Sequence, residues 1–133
     1  MGYCDRREFV AAIAAGAVAL DSSAAEQEQN PAMYGLIGRM TAVSGQREAL
    51  IRILLEGTGA MPGCLSYVVA RDAADENALW ITEVWDSKAH HDESLSLPGV
   101  KASIAKGRPL IASFGAPVVT APAGGFGLAR TQQ

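Results

Sequence analysis

The sequence predicts an α+β domain whose elements follow the ferredoxin-like order β-α-β-β-α-β, an antiparallel sheet with helices on one face. Three observations predict it. The chain has 133 residues, the length of a single domain. Its composition, 49% hydrophobic and 19% charged, is that of a globular protein. Segments with strand character alternate in this order with segments that have helical spacing.

The first β-α unit is predicted within residues 34–59. Residues 34–43 carry Arg39 as their single charge, which suits a strand buried on both faces. Ser44 is in position to cap the helix expected at residues 46–59. Apolar side chains on one stripe of that helix predict packing against the sheet, and they are Leu50, Ile53 and Leu54.

The remaining elements follow in the same alternation. Residues 64–71 and 78–85 are rich in β-branched and aromatic residues, and the polar stretch between them predicts a hairpin. Helices are expected at residues 88–95 and 100–112. Residues 114–120 form the last predicted strand, in which Pro117 indicates an edge or a bulge.

Outside this domain, which we place at residues 33–120, the two ends differ in character. Residues 1–25 resemble a twin-arginine export signal, because Arg6-Arg7 precede an apolar run that small residues follow. An Ala-rich helix that stays on the domain is the alternative. Residues 26–32 are interpreted as a linker and the glycine-rich residues 121–133 as a flexible tail. We therefore expect an exported, periplasmic protein, or a cytoplasmic one if the leader is not functional.

Charge, hydropathy and cysteine content exclude several classes of protein. The 11 Lys and Arg against 14 Asp and Glu give a net charge of -3, which argues against a nucleic-acid-binding surface. The longest apolar run, residues 9–20, is shorter than the roughly 18 residues of a membrane-spanning helix, so no membrane insertion is expected. Cys4 and Cys64 are too few for a disulfide framework or a cysteine zinc site.

The strand at residues 78–85 predicts a second layer beyond the sheet. Large apolar groups occupy both of its faces, Trp80 and Val84 on one and Ile81 and Trp85 on the other. Because the helices cover one face only, we expect a homodimer that packs sheet against sheet as a dimeric α+β barrel.

Two parts of the chain carry a resemblance to a known family. Residues 81–90 and 96–102 show a Glu-x-Trp strand end, a histidine on the short helix and a Pro-x-x-Lys-Ala continuation. Gly63-Cys64 with Tyr67 matches a Gly-Cys-x-x-Tyr pattern on the second strand. Over residues 33–120 the chain thus resembles the antibiotic biosynthesis monooxygenase family, most closely its quinol monooxygenase branch.

The resemblance implies a ferredoxin-like dimer and a class of reaction. Several members oxidise electron-rich aromatic rings with molecular oxygen and without flavin, haem or metal. We therefore expect a monooxygenase that acts on a hydroquinone or similar phenol, with a small aromatic substrate and molecular oxygen as partners and no cofactor or metal. A dimer that binds a small molecule without turnover and an isomerase of a small carbonyl compound are the alternatives.

Oxidation of a phenol by oxygen requires a base that removes the phenolic proton, and a neutral imidazole suits this task. His90, which matches the family's histidine, is the predicted general base, with a solvent-exposed helix histidine as the alternative. The predicted substrate-binding residues are Trp85, Tyr67, Glu83 and Ser94. Three of them have structural alternatives, since Trp85 can fill the core and Tyr67 can be an ordinary sheet residue. Glu83 can form an ion pair with Arg39 or Arg71.

The chain departs from the family at Ser94. Relatives often have a second histidine there, four residues after the first, and its loss supports the binding alternative. The adjacent His91 has no family counterpart. His90 and His91 cannot enter one pocket together, because successive helical side chains point about 100° apart.

Overall fold

Five strands and three helices make up the part of the chain that the computed structural model describes, residues 32–59 and 61–129. No helix in these residues is both long and apolar enough to cross a lipid bilayer. The predicted export signal and nearly all of the predicted linker lie outside the described residues and stay predictions. The elements are β1 (Tyr34–Ala42), α1 (Arg47–Glu56), β2 (Cys64–Arg71), β3 (Ala78–Trp85), α2 (Lys88–Ser94), α3 (Pro98–Gly107), a 3-10 turn (Arg108–Leu110), β4 (Ile111–Phe114) and β5 (Val118–Thr120).

The strands form one antiparallel sheet in the order β2-β3-β1-β4, and β5 also pairs with β1. This is the strand order of the ferredoxin-like fold, so the predicted fold class is confirmed. The register places Glu83 of β3 between Leu36 of β1 and Tyr67 of β2. Because directly paired residues share a face of the sheet, these three side chains point the same way.

The core lies between the sheet and the helices. Leu79 and Ile81 alternate with exposed residues on β3, so they point to the side that α1 covers. Leu50 and Ile51 of α1 are buried against them. The predicted stripe of α1 is confirmed at Leu50 and, partly buried beside the cluster, at Leu54. Ile51, which was not predicted, joins the cluster, whereas the predicted Ile53 is half-buried outside it.

The end of the domain differs from the prediction. The helix expected at residues 100–112 ends at Gly107, and Ile111 already belongs to β4. Pro109 explains the early end, because proline lacks the N–H that an α-helix would use and stops its continuation. The single strand expected at residues 114–120 is two short strands along β1, and Pro117 lies in the interruption between them.

The predicted cap of the first helix is also wrong. Gln46 is the N-cap residue of α1, and no side chain caps the helix. The N–H of Gln46 donates to the carbonyl of Val43 at 2.9 Å, so a tight turn separates Ser44 from the first helical residue.

The sheet side away from the helices carries both polar and apolar groups. We call it the open face. Val68 and Trp80 are 51% and 39% exposed there. Its residues on the three long strands, by the alternation of the register, are Gly35, Ile37, Arg39, Thr41, Ser66, Val68, Ala70, Trp80, Thr82 and Val84.

The chain after β5 runs along one end of the open face. Pro122 lies so close to Gly35 that a Cβ atom at Gly35 would collide with Thr120 and Pro122, so only glycine fits there. Further on, the N–H of Ala129 donates to the carbonyl of Leu65 at 2.8 Å. Residues 121–129 therefore contact the domain at two points, although they contain neither helix nor strand. The flexibility of the tail stays a prediction.

The buried Leu79 offers a direct test of this core. Leu79→Ala should lower the free energy of unfolding by about 3 kcal/mol, because the side chain is fully buried and its removal leaves a cavity. The control is Leu55→Ala on α1, where the side chain is 53% exposed and the expected change is below about 0.5 kcal/mol. Urea denaturation followed by circular dichroism measures both. Equal losses in the two variants would contradict this packing.

Candidate functional site

A cavity of about 540 Å³ lies between the sheet and the helices. Its volume is in the range of small-molecule sites in proteins, roughly 300–1,000 Å³. Most of its walls are aliphatic or aromatic, contributed by β1, β3, β4, α1 and α3, including Leu36, Leu54, Ile81, Ile104 and Phe114. An apolar chamber of this kind suits a ligand with a planar, largely apolar body.

Polar side chains line the cavity from the neighbouring strands β2 and β3 and from the helix α2. Tyr67 and Glu83 lie opposite each other on β2 and β3, and both line the cavity. His91 and Ser94 of α2 line it too, because residues three apart on a helix share one face. Tyr67, Glu83 and Ser94 were predicted as substrate-binding residues, and the structure brings all three to one chamber.

His91, rather than His90, reaches the cavity. Its side chain is 14% exposed, and its ring meets the ring of Trp85 edge-on with the centroids 5.6 Å apart. The ring of Tyr34 lies on another side at 5.1 Å. The Nδ1 atom is 3.1 Å from Oδ1 of Asp92, while Nε2 has no hydrogen-bond partner within residues 32–59 and 61–129. One ring nitrogen is thus held and the other is available to a ligand.

His90, the predicted general base, does not line the cavity. Its side chain is 42% exposed, and its Nδ1 lies 2.6 Å from Oδ1 of Asp86. This hydrogen bond to a carboxylate raises the pKa of His90. The ring also packs on Gly63, where a side chain would collide with it and where φ is +83°. His90 therefore joins α2 to the start of β2, and its prediction as the base at the pocket does not fit this position.

Trp85 does not line the cavity either. It is fully buried, and its Nε1–H donates to Oε1 of Glu83 at 3.1 Å. Its ring also packs edge-on against the ring of His91. Trp85 therefore fills the core, which was the alternative, and does not form a wall for an aromatic substrate. Through these two contacts it also orients Glu83 and His91.

Glu83 has no arginine partner among the described residues, in contrast to the ion pairs considered from the sequence. Arg39 lies on the open face and pairs with Asp75 at 3.0 Å. Arg71 pairs with Glu48 of α1. Burial raises the pKa of Glu83, and this effect exceeds the opposing influence of the Trp85 hydrogen bond and of His91. Part of the Glu83 population is thus protonated at a pH where an exposed glutamate is ionised.

Tyr67 and Ser94 act as neutral hydrogen-bonding groups in the cavity. Burial, together with the nearby Glu83, raises the pKa of Tyr67. Its hydroxyl therefore stays protonated and can donate a hydrogen bond to a ligand oxygen. The buried Ser94 hydroxyl donates to the carbonyl of His91 at 2.6 Å, so its oxygen remains an acceptor. Around one ligand the cavity offers an imidazole, a carboxyl group and a phenol.

The position of His91 was missed for a geometric reason. Ser87 caps α2 by accepting a hydrogen bond from the N–H of His90 at 3.2 Å, and this fixes where the helix begins. The side chains that then face the sheet are His91, Ser94 and Leu95. Their spacing of three and four residues is that of one helix face, but His90 is also four residues from Ser94, so the spacing alone does not select His91.

Comparisons with known proteins agree with the fold. The family model described as antibiotic biosynthesis monooxygenase matches residues 33–106. A crystal structure from Chloroflexus aurantiacus J-10-fl, of a protein named for this family, has 61% sequence identity and a TM-score of 0.71 and covers 73% of this chain and 99% of its own. No match was found among curated proteins.

Two more distant crystal structures share the fold alone. The protein PA3566 from Pseudomonas aeruginosa is 21% identical, with a TM-score of 0.63 over 71% of this chain and 98% of its own. A protein from Nitrosomonas europaea named for the same family is 12% identical, with a TM-score of 0.65 over 70% of this chain and 92% of its own.

The raised pKa of Glu83 predicts a pH dependence of stability. A buried carboxyl group with a raised pKa favours the folded state while it is protonated and loses this contribution as the pH rises through its folded-state pKa. The free energy of unfolding of the wild type, relative to that of Glu83→Gln, should therefore fall as the pH rises above 4.5, the ordinary value. Urea denaturation of both proteins at a series of pH values measures the difference. A difference that is constant with pH would contradict the burial of this carboxyl group.

Proposed function

Because the chain belongs to the antibiotic biosynthesis monooxygenase family, we propose that it oxidises a hydroquinone or similar electron-rich phenol with molecular oxygen inside this cavity. The observation that supports the proposal is one apolar chamber that His91, Glu83 and Tyr67 all line. An apolar chamber accepts an aromatic ring, and an imidazole in its wall can accept a proton from a phenol.

In the proposed reaction, His91 takes the proton of a phenolic hydroxyl at Nε2. The phenolate is a stronger reductant than the phenol, so it can transfer an electron to oxygen. Tyr67 donates a hydrogen bond to the substrate, and the surrounding leucine and isoleucine side chains keep water from the reacting ring. One oxygen atom enters an unsubstituted ring carbon and the other leaves as water with two hydrogens of the substrate. A hydroquinone thereby becomes a hydroxyquinone.

The chemistry is proposed to need no flavin, haem or metal. The proton acceptor is a side chain of the chain itself, and the reductant is the substrate. The proposal therefore requires oxygen consumption that persists in flavin-free buffer with a chelator present.

A binding protein without turnover is the second candidate. Ser94 stands where relatives often have a histidine, and its hydroxyl is engaged with the backbone of α2. Saturable binding of an aromatic compound without oxygen consumption would support this candidate.

The homodimer predicted from the sequence belongs to the same proposal. The open face exposes Val68, Trp80 and Val118 at 51%, 39% and 49%, which favours a second copy packed on it. Since Thr82 is exposed on a central strand between Ile37 and Val68, it marks the middle of that face.

A charge in the middle of the open face tests the dimer. Thr82→Lys should raise the dimer dissociation constant at least about 100-fold, because it sets like charges into an apolar contact. The control is Leu55→Lys on the outer side of α1, where the wild-type side chain is 53% exposed and no change in assembly is expected. Analytical ultracentrifugation measures both. A wild-type protein that is monomeric at micromolar concentration would refute the dimer.

The adjacent histidines test the base. His91→Ala should lower kcat/KM for menadiol at least about 100-fold, the usual contribution of a general base. His90→Ala is the matched control, since its ring is outside the cavity, and it should keep kcat/KM within a few-fold of wild type. Oxygen uptake measures the rate, and mass spectrometry with ¹⁸O₂ measures the oxygen atom in the product. A loss in His90→Ala with none in His91→Ala would restore His90 as the base. Product without label would identify an oxidase instead of a monooxygenase.

A further inference from the structure

We propose that Arg108 binds an anionic group of the substrate, at the end of the cavity remote from Glu83. The substrate class is then an elongated phenol that carries a carboxylate at a distance from its aromatic ring. The placement of the ring rests on the proposed function, whereas the contact of Arg108 with an anion does not.

The cavity is longer than one aromatic ring. Leu36 and Met40 both line it, and they are four residues apart on β1, which corresponds to roughly 13 Å at about 3.3 Å per residue. A cavity of about 150 Å³ is enough for benzene, whereas this one measures about 540 Å³. A ring held by Glu83 and His91 therefore leaves space for a second part of the ligand.

Arg108 lies at the opposite end from Glu83. Glu83 pairs with Leu36, near the start of β1. The 3-10 turn that begins with Arg108 is attached at the other end of this strand, where the N–H of Val43 donates to the carbonyl of Leu110 at 2.8 Å. The polar groups around Glu83 and the guanidinium thus mark the two ends of one apolar chamber.

The guanidinium of Arg108 is not neutralised by the protein. Arg108 is an exposed residue that lines the cavity, and its guanidinium has neither an ion pair nor a side-chain hydrogen bond within the described part of the chain. Of the eight lysine and arginine residues in the described part of the chain, four lie within 4 Å of carboxylates, namely Arg39, Arg47, Arg71 and Lys88. Among the four that do not, Arg108 is the one that lines the cavity. A guanidinium beside apolar walls and without a protein partner favours a carboxylate from the ligand, which it can bind with two parallel hydrogen bonds.

The surroundings of Arg108 add to this preference. A shallow depression adjoins the cavity, and Ile104 and Arg108 line both of them, with Lys101 on its far side. From Pro98 to Leu110 the chain carries three basic residues and no acidic one, although its net charge is -3. This end of the cavity is therefore positive in an acidic protein.

Two phenols that differ only at the remote end test the proposal by binding, without any need for turnover. One carries a para-alkyl chain that ends in a carboxylate, and the other ends in the uncharged primary amide. Isothermal titration calorimetry should show that the wild type binds the carboxylate about fivefold more tightly, as expected for one ion pair at a partly exposed guanidinium.

Three variants on the same segment separate the effect of Arg108 from that of general charge. Arg108→Gln should lose the preference through weaker carboxylate binding, with the affinity for the amide unchanged. Lys106→Gln removes the same charge from α3, at a residue that lines neither the cavity nor the adjoining depression. This variant should keep the preference for the carboxylate. Arg108→Lys keeps the positive charge and should retain part of the preference for the carboxylate. This variant keeps the test decisive if Arg108→Gln does not fold.

Several results would overturn the proposal. These are equal affinities in the wild type, no binding of either phenol, a preference that survives in Arg108→Gln, or an equal loss in Lys106→Gln. Oxygen uptake reports separately on the proposed function. A preference that depends on Arg108 without oxygen uptake would refute the oxidation and leave the anion contact in place. Oxygen uptake at equal rates with the carboxylate and the amide would refute the anion contact and leave the proposed oxidation in place.

Discussion

The rotation of α2 about its own axis decides which side chains meet in the cavity. Ser87 fixes the first turn by accepting a hydrogen bond from His90, and the His90 ring is held between Asp86 and Gly63. With His90 turned outward, the next residue, His91, faces the sheet. A rotation of one residue would exchange the two histidines. The Ser87 cap, which lies outside the cavity and uses only the backbone N–H of His90, therefore sets the composition inside it.

A second constraint is the burial of Glu83 on the same strand as Trp85. An unpaired carboxylate in an apolar layer is costly, and the chain supplies no arginine to it among the described residues. The indole N–H of Trp85 donates a hydrogen bond to Glu83, and burial raises the pKa of Glu83, which favours its uncharged form; both lower this cost. The cost of burying a polar group is thus accepted in the cavity, where apolar walls and titratable groups lie side by side, which is the usual arrangement at a functional site.

The two sides of the sheet serve different purposes because one is covered and the other is not. On the covered side, the helices leave a chamber instead of a filled core, although Leu50 in its wall and Leu79 in the same core cluster are fully buried. On the open face, apolar groups such as Val68 and Trp80 stay exposed in the single chain. The same alternation along β3 produces both sides, so the chamber and the surface proposed for the dimer arise from one strand.

The sequence by itself determined the order of the elements and the family, because alternation, helical stripes and the residues around Glu83 and Tyr67 are local patterns. It also placed Tyr67, Glu83 and Ser94 on the inner side of the sheet and helix. The tertiary structure alone decided which histidine lines the cavity, where α3 gives way to β4, and that Arg39 and Arg71 bind carboxylates other than Glu83. Such choices depend on contacts between residues far apart in the chain, and a helix as short as α2 has too few turns for its spacing to reveal its orientation.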